Sequence, residues 1–265
     1  MTFVLFALGI TAAFFAGSLA LLNLGRRLGL RYLSKQGAES MAGLSTIEGA
    51  VFALIGLLVA FTVSGALQRY DERRQLVVQE ASAVATAYDR LGLFEAEVAS
   101  GLRERLRDYV RARIDLYRMP HDFSVWEDAE VWPREQQVKI AALKSGLWDA
   151  VVAACPQSDF RPACGFSMTA LGNGFDVARL RTGAAEKHPP QIIYVLLYGL
   201  GLGGSLLAGF GMAAAKMRSW IHMVVFAATL AVTLYVITDM EYPRLGLIRI
   251  EGFDHFLADA YDQMR

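Results

Sequence analysis

The sequence is poor in the residues that catalysis and metal binding draw on. It has two cysteines and four histidines, and His121, His188, His222 and His255 are scattered along the chain. Glu251 and His255 stand one helical turn apart with Asp254 beside the histidine, but a metal site ordinarily needs more ligands than that. There is no G-x-S-x-G, no H-E-x-x-H and no P-loop. No catalytic residue, metal or cofactor is therefore expected, and the chain is not read as an enzyme. Charge of one sign is also lacking. Twenty-six Lys and Arg balance 26 Asp and Glu, which does not suggest a nucleic-acid binder, whose domain is normally basic. No run alternates apolar and polar residues as a strand would.

What the chain does have is apolar length. It is 54% hydrophobic, and its apolar residues gather in four blocks at 3–22, 49–67, 192–215 and 221–237. Each is near the roughly 20 residues that an α-helix needs to cross a bilayer. The first block has no positive stretch before it, and Arg26-Arg27 follow it, so it reads as a retained helix rather than a signal peptide. The expected fold class is all-α: a polytopic membrane protein with four transmembrane helices and an extramembrane helical bundle. The expected organisation is 1–68 for the first two spans, 69–190 for the helical domain, 191–240 for the last two spans and 241–265 for a juxtamembrane C-terminal segment.

Within 69–190, Val77, Ala81, Val84, Tyr88 and Leu91 step 4-3-4-3. So short a seam suits core packing as well as a coiled coil. Residues 95–118 predict a second amphipathic helix with Val98, Leu102, Leu106, Tyr109 and Ile114 inward. Pro120 ends it, Pro133 opens a third helix, and a fourth runs from about Phe166 to Lys187. His188-Pro189-Pro190 stops that one. The tail predicts an amphipathic helix from about Glu251, with Phe253, Phe256, Leu257 and Tyr261 on its apolar face.

The second span divides into three faces. Gly49, Ala53, Gly56, Ala60 and Ser64 form a small-residue stripe of the kind by which membrane helices approach closely. Phe52, Ile55, Val59, Thr62 and Ala66 form a second face, which Arg73 continues. Leu54, Leu58 and Phe61 form a third, suited to lipid. The second face has two readings. It packs on another helix of the subunit, or it lines a pore in which Phe52, Ile55 and Val59 make an apolar constriction and Arg73 a positive ring. Glu48 closes a capping box with Ser45, or serves as a functional acid at a membrane entrance. At the far end, Asp239 and Glu241 are expected to pair with Arg69 or Arg73, or with Arg244, because unpaired acids at that depth are costly. Arg74 leaves the second span beside them. Pro243 should end the fourth span. In YGLGLGGSLLAGFGM, Gly199 and Gly203 make a GxxxG, repeated by Ser205 and Gly209, which reads as helix packing.

Sidedness rests on two observations. The short loops carry Arg26, Arg27, Arg31, Lys35 and Lys216, Arg218, which places them in the cytoplasm and the helical domain outside it. Cys155 and Cys164, in ACPQSDFRPACGF, either close a disulfide loop, which would agree, or remain thiols. Arg69, Arg73 and Arg74 hug the opposite membrane face and argue the other way.

IEGAVFALIGLLVAFTVSGALQRYDERRQLVVQEASAVATAYDRLGL resembles the signature of the bacterial bestrophin-like domain family. AGFGMAAAKMRSWIHMVVFAATLAVTLYVITDMEYPRLGLIRIEGFD resembles its second signature. That family is distantly similar to bestrophins, pentameric chloride-type channels with four membrane helices per subunit and a pore lined by the second. The resemblance implies a homo-oligomeric ion channel of the bacterial inner membrane. Its partners would be the lipid bilayer, copies of itself (a pentamer above all) and small inorganic anions. No run of acids like the calcium clasp of animal bestrophins occurs, so calcium gating is not expected. Bestrophins keep their extramembrane domain in the cytosol, which conflicts with the short-loop charges here. The competing function is a non-conducting scaffold or sensor whose helical domain binds a protein partner.

Overall fold

The protein is described from a computed structural model covering residues 2–36, 44–118, 133–158, 160–214 and 220–264. Among these residues there are eight α-helices and no strand. They are α1 (Thr2–Gln36), α2 (Leu44–Leu91), α3 (Ala96–Arg118), α4 (Arg134–Ala154), α5 (Pro162–Glu186), α6 (Gln191–Gly211), α7 (Trp220–Glu241) and α8 (His255–Gln263). Four helical stretches are long and apolar enough to cross a membrane, and they hold α1, α2, α6 and α7. The expected Pro120 stop, His121, Lys216 and Arg218 lie outside the described residues.

The chain divides into two compact units. The membrane unit holds Met1–Gln68 and His188–Ile248; the extramembrane unit holds Arg69–Lys187 and Arg249–Arg265. The 48 residues of α2 contribute to both.

In the membrane unit, α1 packs along α6 and α7. Phe14, Leu197, Ala231, Leu234 and Ile237 form one buried cluster, and Leu22, Met223 and Ala227 another. Close approach is made by glycines. A Cβ on Gly25 would collide with the Leu206 carbonyl, and one on Gly209 with that of Leu22. Of the expected small-residue repeat, Ser205 and Gly209 are at the packed face and Gly199 and Gly203 are not. Gly199 and Gly203 face open space, while Gly201, Gly204 and Gly209 meet Phe14, Ile55 and Leu22. The motif's spacing was right for packing, but the run of glycines offers several phases, and the shape of α1 selects one.

In the extramembrane unit the expected seam is buried: Val77, Ala81, Val84 and Leu91 all lie in the interior. Leu102, Leu106 and Tyr109 meet it from α3, and Leu147 and Val151 from α4. The C-terminal segment joins this core through Leu257 and Met264. A 3-10 turn at Glu251–Phe253 precedes α8, which starts at His255, four residues later than expected. α5 starts four residues earlier than expected, with Pro162 in its first turn, where a proline's missing N–H costs nothing.

Candidate functional site

α2 presents two arcs along its membrane half. Val51, Phe52, Ile55, Leu58, Val59, Thr62, Val63, Gly65 and Ala66 are buried or half-buried. Gly49, Ala50, Ala53, Leu54, Gly56, Leu57, Ala60, Phe61, Ser64 and Leu67 are exposed. At roughly 100° per residue, each set is contiguous.

The face expected to line a pore is therefore the face that packs within the subunit. Phe52 meets Phe226 of α7 edge to face, with ring centroids 6.1 Å apart. Ile55 is only 8% exposed and rests on Gly204 of α6. Val59 packs against the Phe14 and Leu234 cluster. The Thr62 hydroxyl donates to the Leu58 carbonyl of its own helix at 2.8 Å, and Ala66 is fully buried. Ile55 and Ala66 are thus enclosed by their own subunit, while Phe52, Val59 and Thr62 stay half-buried. Periodicity placed these residues on one face; it could not say what that face meets, because packing, lipid and pore faces are all apolar in a membrane.

Arg73 is also corrected. It is 4% exposed, and its guanidinium donates to the Ala184 and Lys187 carbonyls, each at 2.9 Å. These are orphan acceptors at the C-terminal end of α5, where a cation is favoured. Arg74, one residue on, is the more open cation. It pairs with Asp71 at 3.2 Å, both partly exposed, and its guanidinium lies 4.2 Å from the Phe253 ring centroid. Arg74, Asp71, Gln75, Val78, Gln79 and Phe253 line an open groove of about 480 Å³. From Gln75 to Thr86 the exposed residues of α2, Gln75, Val78, Gln79, Ser82 and Thr86, are uncharged; Asp89 and Arg90 follow at its end.

The juxtamembrane charges separate. The Glu48 carboxylate lies against Gly211 at the end of α6. α2 begins at Leu44, so Ser45 stands inside the first turn and not before it. α7 ends at Glu241, two residues before Pro243. Asp239 is fully buried, and backbone answers it instead of an arginine. The N–H of Leu247 donates to it at 2.9 Å, that of Ile248 at 2.6 Å and the Tyr235 hydroxyl at 3.1 Å. Gly246 leaves room for that carboxylate. Glu241 and Arg244 are buried nearby in sequence, and Arg69 is half-buried. Cys155 and Cys164 form a disulfide between the end of α4 and the start of α5.

One constellation was missed from the sequence. Glu80, Arg113 and Arg181 are buried together in the extramembrane unit. Arg113 Nε and Arg181 Nη1 each donate to the Glu80 carboxylate at 2.8 Å. Arg181 Nη2 also reaches Asp254 at 2.6 Å, so the acid beside His255 is committed to an arginine. Burial alone would push the Glu80 carboxyl up, but Arg113 and Arg181 hold it below its ordinary value. Burial raises the Tyr109 phenol well above its usual range. The signal was available: Glu80 stands beside Ala81 of the seam, where a lone acid needs buried cations.

A family model for the bestrophin-like domain matches residues 6–252. Nothing matches among the curated proteins searched. Among solved structures, one variant of a bacterial bestrophin homologue from Klebsiella pneumoniae superposes with a TM-score of 0.66 at 14% identity, covering 94% of this chain and 98% of that one. Another variant of it gives 0.63 at 15% identity, covering 96% and 98%. A structure described only as a membrane protein gives 0.58 at 16%, covering 93% and 98%.

Proposed function

The chain belongs to the bestrophin-like domain family, and from that premise we propose that it is a homo-oligomeric, anion-selective ion channel whose pore is lined by the exposed arc of α2. The observation that carries this reading is that arc. A helix packed on one side by α6 and α7 leaves about half its membrane surface open, and the open part combines small residues with Leu54, Leu57, Phe61 and Leu67, of which Leu57 and Phe61 stand one turn apart. Gly49, Ala53, Gly56 and Ala60 suit the close approach of a neighbouring copy. Leu57, 52% exposed, and Phe61, 67% exposed, make the apolar constriction that gates by dewetting. Arg74 supplies positive potential at the mouth, and the permeant species are small inorganic anions.

The assembly is a ring of subunits, five above all, in a bacterial inner membrane. The disulfide and the short-loop cations support a periplasmic extramembrane unit, because disulfides persist in oxidising compartments. Glu241 pairs with Arg244 at the membrane edge, as a buried acid requires.

The test is a subunit count of the purified protein by native mass spectrometry, followed by anion flux into liposomes. A ring with flux that rises in Leu57→Ala and Phe61→Ala supports the reading. A monomer or dimer, or flux indifferent to both substitutions, overturns it. Maleimide labelling of single exposed cysteines in whole cells decides the side.

A further inference from the structure

α1 is 35 residues long, about 52 Å at 1.5 Å per residue, against roughly 30 Å of hydrocarbon. Its C-terminal third must leave the apolar region, and that is where its charges begin. Arg26, Arg27, Arg31 and Lys35 are all cations, and α1 contains no acid. Arg27, Arg31 and Lys35 follow one another at i, i+4 and i+8, so they form a single stripe, and all three are exposed. Like charges at that spacing repel and weaken a helix. The C-terminal dipole of α1 favours Lys35 in the last turn, but it fades within that turn and does not reach Arg27. Among the described residues no acid forms an ion pair with any of the four cations. Arg26 also keeps its Nε buried without a hydrogen-bond partner. The connection from α1 to α2 adds a single acid, Glu39. Leu24 and Leu28 are exposed beside the stripe, at 47% and 41%. A cationic stripe bordered by open leucines, at the depth where hydrocarbon gives way to headgroups, has the chemistry of a lipid site rather than of a soluble ligand site.

We propose that this end of α1 binds the phosphate headgroups of anionic phospholipids. Arg27, Arg31 and Lys35 hold the phosphates, and Leu24 and Leu28 contact the acyl chains. Anionic headgroups neutralise the stripe that no described acid compensates, and each cation near such a surface adds to the attraction. The site is independent of conduction.

Native mass spectrometry of the full-length protein, released from micelles containing equal phosphatidylglycerol and phosphatidylcholine, tests it. The expected result is preferential retention of phosphatidylglycerol. Arg27→Gln/Arg31→Gln/Lys35→Gln should remove the preference and leave phosphatidylcholine retention unchanged, while Arg27→Lys/Arg31→Lys should keep it. Equal retention of the two lipids by the unmodified protein overturns the proposal, as does a preference that survives the triple substitution. Millimolar sodium phosphate that displaces phosphatidylglycerol overturns the lipid as the source and makes this a free-anion site. Should the triple variant fail to fold, ionic strength decides on the unmodified protein. The preference must collapse at high salt, where exposed charges are screened, and one indifferent to salt sinks the proposal.

Discussion

α1 meets α6 where side chains are missing, at Gly25, Gly29 and Gly209. The extramembrane unit holds together through large side chains, with Leu102, Leu106, Leu147 and Leu171 at its centre and Glu80, Arg113 and Arg181 buried beside them. The solvents explain the contrast. Lipid tails are as apolar as leucine, so burying a leucine in a bilayer gains little, and close contact between backbones decides. In water the transfer of apolar surface drives packing, and a helix such as α2 passes from one regime to the other without a break. Charges follow the same division. Asp239 in the membrane unit is satisfied by backbone N–H groups of the segment that follows α7, whereas Glu80 needs arginines from α3 and α5.

The largest effect that tests this contrast is Glu80→Ala. It leaves Arg113 and Arg181 buried without their carboxylate and should cost about 3–5 kcal/mol, read as a large fall in melting temperature. A loss under about 1 kcal/mol would mean that the arginines find water. Asp239→Asn removes the charge from the hydrogen bonds of Leu247 and Ile248 and should cost about 1.5–3 kcal/mol. Gly209→Ala forces a methyl group onto the Leu22 carbonyl and should cost about 1–3 kcal/mol. Gly199→Ala, with open space around it, should change stability by less than about 0.5 kcal/mol. If the two glycine substitutions behave alike, close approach is not what holds the membrane unit.

The mildest test is pH. The folded Glu80 carboxyl lies below its ordinary value of 4.5. Its contribution is complete above about 4.5 and is lost as pH falls through the lower, folded value. The unmodified protein should therefore lose extramembrane stability below that point. Glu80→Gln, already without the charge, should give a flatter acid limb in thermal scans.

Several parts of this architecture were legible one residue at a time. The apolar blocks were long enough to identify four spans, and the 4-3-4-3 seam identified the buried face of α2 beyond the membrane. The second span was harder. Its wheel set out three faces where the structure has two arcs: the small stripe shares the open arc with Leu54 and Phe61, and Leu58 falls with Phe52, Ile55 and Val59 on the packed one. Likewise Arg73 and Arg74 are adjacent and chemically identical, but one caps α5 from inside and the other opens onto a groove.

The sequence by itself determined which segments enter the membrane and which residues share a helical face, because length and period are local properties of a chain in a given solvent. Only the tertiary structure decided what each face meets: which glycines of α6 receive α1, which arginine is spent on α5, and where Glu80 finds its two cations. Those outcomes depend on shapes and charges brought from distant parts of the chain, and no periodicity along a single helix contains them.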